Sequence, residues 1–187
     1  MKKFLSLITF IALISTQSCK KDQPLDPTNP APNNPAELIT TLKLIFTDSA
    51  NTSSVNTFVF KDADGDGGNA PTQFDTIQLN ANSTYYVSVL LLNESVSPAD
   101  TISNEVAEEA NEHQFFFHYN GVNISLTYLD ADTNTPPLPL GLSSKWKTGV
   151  TATGTSQVIL KHQPGTKNGS EAGGETDVDL VFSTVIN

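Results

Sequence analysis

The stretch HQFFFHYNGVNISLTY, residues 113–128, decides how this chain is read. Phe115, Phe117 and Tyr119 fall on alternate positions, and Val122, Ile124, Leu126 and Tyr128 do the same after Asn120-Gly121. A period of two is that of a strand with one buried face. Asn-Gly is a favoured central pair of a tight hairpin turn, so the sequence predicts strands over 113–119 and 122–128 joined as a hairpin. On such a strand His113 shares a face with Phe115, Phe117 and Tyr119, whereas His118 shares the opposite face with Phe116.

The same pattern extends in both directions. Strand candidates occur at 38–46, 55–61, 76–79, 84–92, 144–148, 157–162 and 177–186, separated by turns rich in Gly, Asn and Pro. The segment TYYVSVLLL (84–92) is apolar on both faces and reads as central. Nine such strands predict an all-β fold, an antiparallel β-sandwich, with an Ig-like arrangement as one form open to it. One segment differs. DTISNEVAEEA (100–110) reads as a short helix of about three turns, with Asp100 as its N-cap and Ile102 and Val106 as a narrow apolar stripe.

Ahead of this domain stands a segment of another kind. Met1-Lys2-Lys3 followed by the apolar run FLSLITFIALI (4–14) has the form of a secretory signal, too short to span a membrane. Cys19 is the only cysteine, so it has no intramolecular disulfide partner. Its place after the apolar run, in ISTQSC, resembles a relaxed lipobox. That resemblance implies a cysteine that is acylated and becomes the new N-terminus, so the membrane is the first expected partner, through lipid on Cys19. The expected organisation is a signal peptide over 1–18, a Pro- and Asn-rich tether over 19–36 and a β-sandwich over 37–187.

Charge narrows the partners further. The chain has ten basic residues against twenty acids and contains no arginine. Loss of residues 1–18 removes Lys2 and Lys3 and no acid, which makes the remainder more acidic still. Nucleic acid is repelled by such a surface and is not an expected partner. A cation or a neutral ligand remains open.

Two groups of residues have metal-ligating chemistry. Asp62, Asp64, Asp66 and Gly67 in KDADGDGG match the opening of a calcium loop, where alternate oxygens face one hard cation. The twelfth position is Gln73 rather than Glu, so the loop is not an EF-hand; a looser β-loop calcium site completed by Asp75 and an acidic turn are both open. The second group is Glu109, His113, His118 and His162, which together would suit zinc or copper. No G-x-S-x-G, phosphate-binding glycine loop or H-E-x-x-H occurs, and a catalytic role is not expected. The pair Asp130 and Asp132 precedes a Pro-Pro turn and carries no glycosidase signature.

Asp48-Ser49-Ala50, Asp75-Thr76-Ile77 and Asp100-Thr101-Ile102 resemble the O-glycosylation acceptor of Bacteroidota envelope proteins, which implies Ser49, Thr76 and Thr101 as acceptors. The start SCKKD (18–22) and the blocks DADGDGGNAP (62–71), LLNES (91–95), EEANEHQFFF (108–117), LKHQPG (160–165) and GGETDVDLVF (173–182) resemble a family of small lipoproteins from that phylum. Its members often carry the label of a type 1 periplasmic binding fold. The resemblance implies lipid anchoring at the outer membrane but no site residues. The sequence therefore predicts a non-catalytic binding or transport-accessory module, with an outer-membrane transporter or receptor as partner. A divalent-metal-binding lipoprotein and a structural envelope component are the alternatives.

Overall fold

The computed structural model describes residues 38–63 and 68–187, within the compact unit Ala36–Asn187. Cys19, the signal and the tether lie outside the described residues, as do Asp64 and Asp66. The strands are β1 (Thr41–Asp48), β2 (Val55–Lys61), β3 (Gln73–Phe74), β4 (Ile77–Leu79), β5 (Thr84–Leu92), β6 (His113–Asn120), β7 (Ile124–Tyr128), β8 (Ser143–Thr148), β9 (Ala152–His162) and β10 (Glu175–Ile186). One helix, α1 (Ile102–Glu108), stands between β5 and β6. A six-stranded sheet runs β3-β2-β1-β5-β8-β7 and a four-stranded sheet runs β4-β10-β9-β6. They enclose one core, so the fold is the β-sandwich the alternation predicts. Every pairing is antiparallel except β4 with β10, which is parallel.

Alternation supplies the core. Leu42, Leu44 and Phe46 of β1, with Tyr85, Val87, Val89 and Leu91 of β5, turn inward from the larger sheet. Phe115 of β6, Val158 and Leu160 of β9, and Val178, Phe182 and Ile186 of β10 meet them from the smaller one. Full burial of each large side chain stabilises the fold by roughly 1.5–3 kcal/mol. Aromatic edges join the sheets. Trp146 meets Phe46 of its own sheet at 5.2 Å between centroids, and Phe117 and Tyr119 of β6 at 5.5 and 5.1 Å. The indole N–H, buried, donates to Ser144 Oγ at 2.9 Å.

Three expectations are corrected. First, Asn120-Gly121 does not make a hairpin. β6 pairs with β9 and β7 with β8, so the chain crosses there from one sheet to the other. Gly121 adopts φ +75° and lies against the Thr153–Gly154 backbone. Asn-Gly marks the turn, but the strands beyond it find different partners. Second, α1 has seven residues, and its N-cap is Thr101. Asp100 instead accepts the Thr101 N–H at 2.8 Å. Third, β9 begins at Ala152, within a polar Thr- and Gly-rich run that has no apolar alternation to announce it.

The helix fills the space where β8 ends. The β5–β8 ladder stops at Ser88 and Ser143, and Ser103 Oγ of α1 then accepts the Leu91 N–H at 2.6 Å. Ile102 and Val106 are buried in the core end. A tight turn follows: the N–H groups of Glu112 and His113 donate to Glu109 O at 2.8 and 3.2 Å. The helix therefore delivers Glu109 and Glu112 directly against the first residue of β6.

Candidate metal centre

His113 starts β6 and His162 ends β9, and the two are register partners across the strands. Both point inward, as the alternation places them, and are 1% and 6% exposed. Their rings stack with centroids 4.4 Å apart and planes 7° from parallel. Glu109, His113 and His162 each bring a ligand atom, all within 4.8 Å of one another. Glu109 Oε2 lies 3.9 Å from His113 Nδ1, and Glu112 Oε2 lies 3.5 Å from His162 Nε2. The glutamates are half-exposed and roof the buried histidines from the solvent side.

Burial pulls the His113 imidazole down to about 4, and the neighbouring His162 charge acts in the same direction. His113 is therefore neutral at pH 7, the form that binds metals. His162 Nε2 is fully buried and makes no well-formed hydrogen bond; the Glu112 carboxylate stands 3.5 Å from it, at the edge of hydrogen-bonding range. A group left wholly unsatisfied costs about 1–3 kcal/mol, of which that long contact recovers a part.

Nitrogen and carboxylate ligands suit zinc, copper or nickel, whereas calcium takes oxygen alone. Zinc bonds to these atoms are about 2.0–2.2 Å, so the three groups must draw inward to share one ion. Lone pairs of imidazole nitrogen lie in the ring plane, so two parallel rings converge on one ion after one of them turns about its Cβ–Cγ bond. Glu109 stands at the helix C-cap and is half-exposed.

The surroundings are stiff. The Gln163 N–H donates to Glu112 O at 2.7 Å, and its side-chain amide holds the returning loop through Ser170 O at 3.0 Å. Gly174 has φ +67°, and a methyl group there would collide with the His162 carbonyl oxygen. Glycine is needed at that contact. On the other flank, Lys167 Nζ donates to Ala110 O at 2.8 Å and pairs with Asp132 Oδ2 at 2.9 Å.

The remaining residues singled out by sequence fall elsewhere. His118 does not join Glu109, His113 and His162. It is on the outer face, pairs with Glu171 at 2.6 Å and is 53% exposed. Strand alternation separates it from His113, five positions away. Of the acidic loop, Asp62 is buried and its N–H donates to Thr40 O at 2.8 Å. The Asp75 carboxylate accepts the Val59 N–H at 2.8 Å and the Gln73 amide, which ties it to β2 and β3. Asp130 accepts the Gly141 and Ser143 N–H groups at 2.7 and 2.8 Å, so it is a loop clasp. Ser49 and Thr76 are exposed, and Thr101 is half-buried.

Alternation and helical spacing single out His113 and Glu109, but not Glu112 or a fifth group, Asp177. The Asp177 carboxyl is 4% exposed and lies 3.8 Å from His113 Nε2. Strand alternation puts it with Asp179 on the outer face, and only the strand pairing reveals why it turns inward. Comparison with protein-family models, with curated proteins and with solved structures gave no match.

Proposed function

We propose that this protein is a lipid-anchored, non-catalytic module of the cell envelope that binds a divalent transition metal through Glu109, His113 and His162. The observation that carries the metal reading is the buried imidazole pair. A stacked, largely water-excluded histidine pair whose His162 Nε2 has only a long contact to Glu112 is poorly satisfied, and a metal ion at that nitrogen would satisfy it better. Two half-exposed glutamates supply the charge that neutralises the ion and a path by which it enters. The acidic loop gives less support for calcium, because Asp75 is engaged by β2 and β3.

Metal-stripped protein titrated with zinc is expected to bind one equivalent, and its melting temperature is expected to rise with zinc concentration. Replacement of His113 and His162 together by alanine removes both effects, while calcium gives neither in the parent. Zinc uptake that persists in the double variant would contradict this reading.

The anchor rests on the lipobox-like ISTQSC and the tether that follows it. Cells producing the protein and fed labelled palmitate are expected to label it, and Cys19→Ala is expected to abolish the label. Labelling undiminished by that substitution would refute acylation at Cys19. A module held on a membrane by a tether could hand metal to a neighbouring transporter, which is the role we assign it.

A further inference from the structure

The strand β10 contains an extra residue whose side chain turns toward His113. Thr176 is the partner of Lys161 and Val178 that of Leu160, so Asp177 has no partner of its own and forms a β-bulge. Thr176 faces outward, where its Oγ1 accepts from Lys161 Nζ at 2.7 Å, and Val178 faces the core. These two would alternate correctly as direct neighbours. The bulge thus adds one residue to an otherwise regular ladder. Bulges re-aim a side chain at the cost of local pairing. Here the re-aimed group is a buried carboxyl 3.8 Å from His113 Nε2. It also lines an adjoining cavity of about 260 Å³, walled by Ile39, Phe60, Val178 and Leu180 and by the polar Asp62, Thr176 and Asp179.

We propose that Asp177 is the positioning residue of the metal centre: when an ion takes Nδ1 of His113 in place of its contact with Glu109 O, the Asp177 carboxylate closes on Nε2 from 3.8 Å and accepts its N–H. The proposal rests on the metal reading above. His113 has two proton acceptors to choose from. Glu109 O lies 3.3 Å from Nδ1, and Asp177 Oδ2 lies 3.8 Å from Nε2. A proton on Nδ1 blocks that nitrogen as a ligand. A metal approaching from the Glu109 side therefore requires the proton on Nε2, where the Asp177 carboxylate stands 3.8 Å away to receive it. A carboxylate behind a ligating imidazole also raises its basicity and fixes its ring. Asp177 need not touch the ion to act.

The test uses the whole protein, stripped of metal, with zinc as the probe in a competition titration. Asp177→Asn is expected to lower zinc affinity about 10–100-fold. Its metal-free melting temperature is expected to stay level or rise, since a buried charge is removed. Deletion of Asp177, which restores a regular ladder, is expected to weaken zinc binding at least as much. In nitrogen NMR of the zinc-loaded protein, the His113 Nε2–H of the parent is expected to show a hydrogen bond to a carboxylate and that of Asp177→Asn to lack it. Parent-like affinity in both variants would overturn the role of Asp177 while leaving the metal site intact. Loss of affinity that merely tracks loss of metal-free stability would overturn it too. Absence of zinc binding in the parent would instead sink the site itself.

Discussion

Replacement of Lys167 by methionine is expected to lower the unfolding free energy at pH 7 by about 3–5 kcal/mol. The Lys167 and Asp132 side chains are 1% and 0% exposed and 2.9 Å apart. Asp132 is more than an ion-pair partner. It also accepts the Leu138 N–H at 2.8 Å and the Asn134 amide at 2.8 Å, and so folds the 132–138 loop around itself. Methionine fills the space of the lysine stem but leaves the carboxylate buried without its counter-charge. Such a truncation is costly because the remaining ion is desolvated and uncompensated, whatever the intact pair was worth.

The loss has a pH signature. Burial pushes the Asp132 carboxyl up, but the Leu138 N–H, the Lys167 ammonium and the Asn134 amide together outweigh it and hold the group below its ordinary value. A carboxyl held down in the folded state contributes stability that is present above about pH 4 and is lost as pH falls through the folded value. Without Lys167 that contribution shrinks. The parent and the Lys167→Met variant are therefore expected to differ most near neutrality and to converge in acid, as followed by chemical denaturation across pH. A difference that stays constant to pH 3 would assign the effect to lost packing alone.

Trp146→Ala is expected to cost about 3–5 kcal/mol, enough to lower the melting temperature by about 10 °C in a domain of this size. Trp146 is fully buried and bridges the sheets, as the Phe74–Phe182 pair does elsewhere at 5.0 Å. It receives Phe46 on one side and Phe117 and Tyr119 on the other. Phe117 and Tyr119 belong to β6, the strand that begins at His113. The cavity opens between the two layers, where neither can close it without bending a paired strand. The ladder of β6 with β9 does not depend on the indole, so zinc affinity of the folded variant is expected to fall much less than stability. A loss below about 1 kcal/mol would mean that the sheets repack and that Trp146 is no hub.

The fold was largely legible because alternation is a local property. All nine predicted strands are present, and TYYVSVLLL is indeed β5, paired on both sides by β1 and β8. Pairing is not local. Asn120-Gly121 announces a turn, but whether the strands beyond it meet each other depends on residues thirty positions away. The site was legible to the same extent. His113, His162 and Glu109 carry visible chemistry, and strand period alone separates His118 from them. That His113 faces His162 follows from the β6–β9 register, and no residue type encodes it. Glu112 is hidden because its position depends on the turn after α1. Asp177 is hidden because one inserted residue reverses its face, and the sequence around it, TDVDLVF, alternates without a break.

Two buried histidines and a glutamate at the junction of α1, β6 and β9 are the ligands we propose for one transition-metal ion. The most direct test is a crystal of the protein grown with zinc, with anomalous differences measured on both sides of the zinc absorption edge. One strong peak is expected within about 2.2 Å of a ring nitrogen on each of His113 and His162 and of a Glu109 carboxylate oxygen. A map with no peak there, or with its peak at the acidic loop around Asp62, would contradict it.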